Sequence, residues 1–330
     1  LPDGSRVLDP ELRVAVFDGG LPKDSNLMPW ATRLKKSPIG PSVARYLVHG
    51  QSVTSALLFG SLNIGITPDT PYANIDHYRV LDHHSGRDPD SDLFDVLIRI
   101  KDVLESKNYE FVNISIGPDL PIEDDDVNVC TAVLDQIFSK GKMLAAIAVG
   151  NGGENDRASG NARIQSPADC VNGMSIGAAD SMADRWRRAA YSSIGPGRSP
   201  GVIKPDALSF GGSDQHPFWV FDQATNSAVP MTGTSFAAPT ALRSGIGIRA
   251  YLGSVVTPLA LKALLLHHCE PNGQDRTEIG WGRIPSRVED LILCKEATAH
   301  VLYQGELAPA QWLRAKIPIP STPLPGIVEI

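Results

Sequence analysis

Apolar residues fall along this chain in two alternating kinds of run. Val14-Ala15-Val16-Phe17, Phe111–Ile116 and Met143–Val149 are short, rich in β-branched or small apolar residues and bounded by Gly, Asp or Asn. Runs of that kind read as strands buried on both faces, as in a parallel sheet. Between and after them come longer stretches with helical spacing. Leu93–Ser106 carries apolar residues at 93, 94, 96, 97, 98, 100, 103 and 104, Val127–Ser139 follows, and Pro258–His267 stands behind Thr257 as a candidate N-cap. Strand and helix in alternation predict an α/β fold with a mostly parallel, doubly wound sheet.

The residues with chemical potential lie where these elements meet. Gly233-Thr234-Ser235-Phe236-Ala237-Ala238-Pro239 sets a serine on a tight turn before an apolar run through Ala241, Leu242, Gly245, Ile246 and Ile248. A helix N-terminus offers unpaired N–H groups and positive dipole to a developing oxyanion. The same heptapeptide also fits a serine N-cap on a tightly packed helix. Asp18 closes the first strand ahead of Gly19-Gly20, at the carboxyl edge where open α/β sheets hold ligands. An Asx-turn is the plainer account of it. His49, within Tyr46–Leu58, reads as carried by a loop into the first turn of an apolar helix, as a base or as a satisfied structural histidine. Asn151 stands among glycines after the Met143–Val149 strand, and its amide has two N–H donors.

In this combination and order the chain resembles the subtilisin-like serine peptidases, the subtilases, over most of its length. The family's Asp, His and Ser motifs match at Asp18, His49 and Ser235, and its oxyanion asparagine matches Asn151. Val112-Asn113-Ile114-Ser115-Ile116-Gly117 is similar to the strand whose edge, Ser115, Ile116 and Gly117, pairs with substrate backbone. Ser166-Pro167-Ala168 is similar to the wall of the S1 pocket, and the resemblance adds Gly150, Pro167, Ala168 and Thr234 to the expected substrate contacts. Ser175–Ala178, Tyr191–Gly195, Lys204-Pro205-Asp206 and Gly280-Trp281-Gly282 match further family stretches. The implied architecture is a three-layer αβα peptidase domain over residues 1–300, with 301–330 as a Pro-rich arm or linker. The implied activity is that of a serine endopeptidase acting through an Asp-His-Ser triad and an acyl-enzyme. The alternative is a catalytically silent module of the same fold that binds a peptide or partner.

Two positions depart from the resemblance. Subtilases usually place Ser or Thr directly after the aspartate, where this chain has Gly19, and Thr two residues after the histidine, where it has Gln51. Both positions support the catalytic groups, so a repacked or loosened surround is expected.

Composition narrows the partners. A net charge of −7 with no offsetting basic patch argues against nucleic acid, and no apolar run is long enough for a membrane span. The expected partner is a peptide or protein substrate, with a pro-segment or regulatory domain as a further candidate. Cys130, Cys170, Cys269 and Cys294 are scattered without metal-like spacing. With nothing in the cysteine pattern that suggests disulfides, a cytoplasmic setting is slightly favoured over a secreted one. No cofactor is expected, although the resemblance allows a structural calcium ion whose ligands do not map here. Asp88, Asp90 and Asp92 imitate the start of a calcium loop, but Leu93 and Arg99 stand where Gly and Glu belong. Gly197–Gly201 imitates a nucleophile elbow between prolines, and Gly245–Ala250 a dinucleotide fingerprint without a preceding strand. His83-His84 and His267-His268 read as structural pairs. Glu123–Asp126 reads as acidic groups at a helix N-terminus or as an acidic rim beside the substrate edge.

Overall fold

The computed structural model describes residues 1–87, 89–294, 296, 298, 300–312 and 314, with the side chains of 89–93 excepted. It divides into two compact units, Leu1–Leu293 and Cys294–Ile330. In the first unit β1 (Asp9–Asp18), β2 (Ala31–Lys35), β3 (Ala73–Arg79), β4 (Phe111–Ile114), β5 (Leu144–Ala148), β6 (Met174–Ala179) and β7 (Ala207–Phe210) form one seven-stranded sheet. Its order is β2-β3-β1-β4-β5-β6-β7, and its strand pairs are parallel. A separate hairpin joins β8 (Phe218–Asp222) to β9 (Ser227–Met231).

The continuous apolar runs follow from burial on both faces. Val14 and Val16 enter one core while Ala15 and Phe17 enter the other, and β5 divides Leu144 and Ala146 from Ala145 and Ile147 in the same way. That is the period of two expected of a strand whose side chains leave alternate faces. Helices α1 (Ala44–Phe59), α4 (Thr234–Leu252) and α5 (Pro258–His267) bury residues in the first core. Helices α2 (Pro89–Ser106) and α3 (Val129–Phe138) bury theirs in the second. The result is the three-layer α/β arrangement.

Helix ends with polar caps fall where the residues indicate. Asn128 caps α3 by accepting the Cys130 N–H, and Thr257 caps α5 by accepting the Ala260 N–H. The start of α1 differs from the sequence reading. It begins at Ala44, so His49 lies in its second turn and Tyr46, Leu47 and Val48 are helical rather than a loop. Val43 supplies no side-chain cap and the first turn holds no acidic residue, so no local signal marks this start. Glu123–Asp126 lies in the loop before Asn128 and not in the first turn of α3. Asp124 instead pairs with Arg163 at 2.9 Å. Gly245–Ala250 is interior to α4, and Gly197–Gly201 is irregular chain.

Among the described residues, no helix is long and apolar enough to cross a membrane, and the four cysteines are free thiols. No group of three or more His, Cys, Asp or Glu side chains among them is arranged to hold a metal ion. Asp88 lies outside the described residues, as do the side chains of Asp90 and Asp92.

Candidate active site

The sheet reverses its direction of growth at β1. The chain leaves β1 for β2 and β3 on one side and returns to lay β4 on the other. Ligand sites of open α/β sheets sit at such a switch point, outside the carboxyl ends of the strands. Asp18 ends β1, Ser115 follows β4, and Gly150 and Asn151 follow β5, so these residues share that edge. Helices α1 and α4 bring His49 and Ser235 to it, and the His49 ring lies 6.4 Å from that of Phe236.

Asp18 is fully buried. Its Oδ1 accepts the Gly19 N–H at 2.6 Å and lies 2.8 Å from His49 Nδ1, while Oδ2 has no hydrogen-bond partner. Burial opposes protonation of His49, but attraction to the Asp18 carboxylate and the hydrogen bond to it raise its pKa above the ordinary value overall. The pairing holds Nδ1 protonated and leaves Nε2 as the basic nitrogen. Gly19 is dictated by space, because a Cβ there would stand 2.2 Å from Tyr46 O in the first turn of α1. Gln51 is buried, and its Oε1 accepts the Ser25 hydroxyl at 2.6 Å.

The turn that bears Ser235 is built by backbone chemistry. Gly233 has φ 155° and ψ 151°, a region essentially reserved for glycine, and it caps α4. The Gly233 N–H is held by Gly211 O and by the Tyr191 hydroxyl, each at 3.0 Å. Pro239 lies inside α4 and has no N–H to give to Ser235 O four residues earlier. Ser115 Oγ donates to that carbonyl instead at 3.2 Å, and Asn113 Nδ2 donates to Ser115 Oγ at 2.9 Å. Ser235 Oγ donates to Ser115 O at 3.3 Å, and no hydrogen bond joins it to His49.

Asn151 is exposed at the same edge. The Thr234 N–H and hydroxyl both lie 3.0 Å from its Oδ1. A backbone N–H can only donate, so this atom is the carbonyl oxygen and the NH₂ group is left for an incoming acceptor. In the first turn of α4, Thr234 N–H is taken by Asn151 and Phe236 N–H by Gly233 O, while none of the described groups engages the Ser235 N–H.

Ser115, Ile116 and Gly117 continue beyond β4 as irregular chain, with Gly117 exposed. Gly150 lies opposite Gln165, and a Cβ on it would meet Gln165 Oε1 at 2.1 Å. Ala168 is fully buried in the core beneath the sheet, and Thr234 is buried with its N–H and hydroxyl directed at Asn151 Oδ1. Pro167 is also buried. Gln165 is half-buried, and its Nε2 donates to Asp119 Oδ1 at 2.6 Å. Sequence reasoning met Tyr191 only as part of a family stretch, without its contact to Gly233, and missed His77. His77 was detectable as a polar ring on β3 at a position sharing its face with the core residues Ala73 and Ile75.

Residues 24–282 match the model of the subtilase family, Peptidase_S8. The match begins after Asp18, whose place rests on the pairing with His49. No curated protein matches the chain. Among solved structures, the prenylagaramide maturation protease PagA is 20% identical with a TM-score of 0.63, covering 86% of this chain and 94% of that one. The PatG macrocyclase in complex with peptide is 16% identical with a TM-score of 0.65, covering 87% and 93%. The epidermin leader peptide processing serine protease EpiP from Staphylococcus aureus is 17% identical with a TM-score of 0.61, covering 85% and 74%. These likenesses are of fold. With the parallel sheet, the switch-point site and a family match over most of its length, the chain belongs to the subtilase family of serine-type endopeptidases.

Proposed function

We propose that the chain hydrolyses peptide bonds through Ser235, His49 and Asp18. The observation that carries this reading is the 2.8 Å hydrogen bond from half-buried His49 to buried Asp18, at the sheet edge to which α4 brings Ser235. His49 Nε2 takes the Ser235 proton as Oγ attacks the scissile carbonyl, and returns it to the leaving amine. The step requires Ser235 Oγ to leave Ser115 O and turn to His49. Asp18 keeps the imidazole in the working tautomer and stabilises the imidazolium. The Asn151 amide and the Ser235 N–H receive the oxyanion. Water then resolves the acyl-enzyme. Each proton and charge movement is assigned to a side chain or backbone group, so the chemistry requires no cofactor.

The substrate is an extended peptide segment laid along Ser115–Gly117. Two of the structural neighbours are described as a leader peptide processing protease and a macrocyclase bound to peptide, which agrees with an unstructured peptide substrate. The serine-to-carbonyl contact of Ser235 favours the silent-module reading and makes labelling the deciding experiment. A fluorophosphonate probe is expected to label Ser235 in the wild type and not in Ser235→Ala. Well-folded wild type that resists the probe overturns the proposal.

A further inference from the structure

His77 is a buried titratable group to which the peptidase mechanism gives no task. It is fully buried on β3, and both ring nitrogens are engaged. Nε2 lies 3.1 Å from the Gly20 N–H, and Nδ1 lies 2.8 Å from the Thr54 hydroxyl. The backbone N–H must donate, so Nε2 carries no proton and the neutral ring holds its proton on Nδ1. Nδ1–H then donates to Thr54 Oγ1, whose own hydrogen goes to Gly50 O at 2.8 Å. One ring therefore connects the residue two beyond Asp18 with the residue directly after His49.

The two segments meet backbone to backbone. A Cβ on Gly50 would stand 2.2 Å from Gly20 O and 3.0 Å from His77 Cε1. No side chain of Gly20 or Gly50 exists to absorb an error in spacing. Asp18 has few anchors of its own, since only Oδ1 is bonded and Oδ2 is buried without a partner. The direction of its carboxylate thus depends on the backbone of residues 18–20.

We propose that His77 is a positioning residue, a neutral strut that fixes the spacing between the Asp18 turn and the His49 helix and so maintains the Asp18–His49 hydrogen bond. Its effect on rate rests on the peptidase reading, whereas its effect on that hydrogen bond does not. Burial keeps the ring neutral, pushing its pKa down to about 4, with Asp18 opposing and His49 and Arg33 adding to the depression. These are the charged groups that act on it from β1, α1 and β2. A proton on Nε2 would confront the Gly20 N–H and undo the strut.

The test compares His77→Gln, whose amide oxygen can replace Nε2, with His77→Asn, whose shorter amide replaces only Nδ1, and with His77→Leu. Two quantities are read: the rate of fluorophosphonate labelling at Ser235 and the far-downfield proton NMR signal of His49 Nδ1–H. Because misplacement by about 1 Å can cost on the order of 100-fold in rate, the Asn and Leu variants are expected to label roughly 10- to 100-fold more slowly, with Gln within about threefold of wild type. The downfield signal should persist in Gln and disappear or shift in Asn and Leu, while KM for peptide stays unchanged. If Leu does not fold, the Gln and Asn pair carries the comparison. Equal labelling and an unmoved signal in Gln and Asn would overturn the strut. If wild type does not label, the peptidase reading fails, and the proton signal alone still judges His77. A wild type lacking that signal overturns the proposal as well.

Discussion

Gly19→Ser would restore the residue type that subtilases usually carry after the aspartate, and it should damage this protein. An added Cβ would stand 2.2 Å from Tyr46 O and 2.5 Å from Tyr46 C and Cβ. Ordinary contacts need a separation of about 3.5 Å, so the β1 turn and the first turn of α1 must part by about 1 Å. The obstacle is largely backbone, which no rotamer change relieves. Overpacking of this kind costs about 1–3 kcal/mol, equivalent to a fall in Tm of the order of 2–10 °C. His49 lies one turn further along α1, so the same displacement reaches the base, and kcat should fall by about 100-fold. Thermal unfolding and probe-labelling rates measure the two effects. Gly19→Ala should behave like the serine variant, because the clash is at Cβ and not at the hydroxyl. A serine variant with wild-type Tm and a labelling rate within twofold would refute the argument.

Asn151→Leu should lower kcat by about 10²–10³ with KM little changed, as measured on any cleaved peptide, because one oxyanion donor is lost. Thr234→Val should fall between that variant and wild type, since the Thr234 N–H still holds Oδ1. The rising limb of kcat/KM with pH should have its midpoint above about 6.5, because Asp18 raises the pKa of His49 and the neutral imidazole is the base. Asp18→Asn should move that midpoint down, and an unmoved limb would exclude His49 as its source. Tyr191→Phe leaves Gly233 N–H bonded to Gly211 O but removes the hydroxyl from Gly212 O. One orphaned carbonyl should cost about 1–2 kcal/mol in urea unfolding.

The elements most legible from the residues alone are those whose burial is two-sided or whose ends are capped. Val14–Phe17 announces β1 because both faces are core, and Thr257 announces α5 because its side chain accepts the Ala260 N–H. The start of α1 was not legible, because Val43 and the first turn contain nothing that pairs with orphan N–H groups. Asp18, Ser235 and Asn151 could be singled out because each stands at the end of a strand or the start of a helix, whereas His49, in the second turn of α1, carries no such local mark. Their supports could not, because those contacts join residues far apart in the chain. Gly19 reads locally as a missing hydroxyl, and only the approach of Tyr46 explains it. Ala168 reads as pocket wall by its place beside Pro167, and only the folded chain shows its side chain packed in the core.

Pro239 has a consequence for inheritance. By withholding an N–H from Ser235 O, it leaves that carbonyl to the Ser115 hydroxyl. A lineage that lost Ser115 while keeping Pro239 would strand a carbonyl beside the reacting atom. One that lost Pro239 would regain the helical donor and release Ser115 and Asn113 from their present order. The dependence runs one way: Ser115 cannot be given up while Pro239 remains, whereas loss of Pro239 leaves positions 113 and 115 free to change.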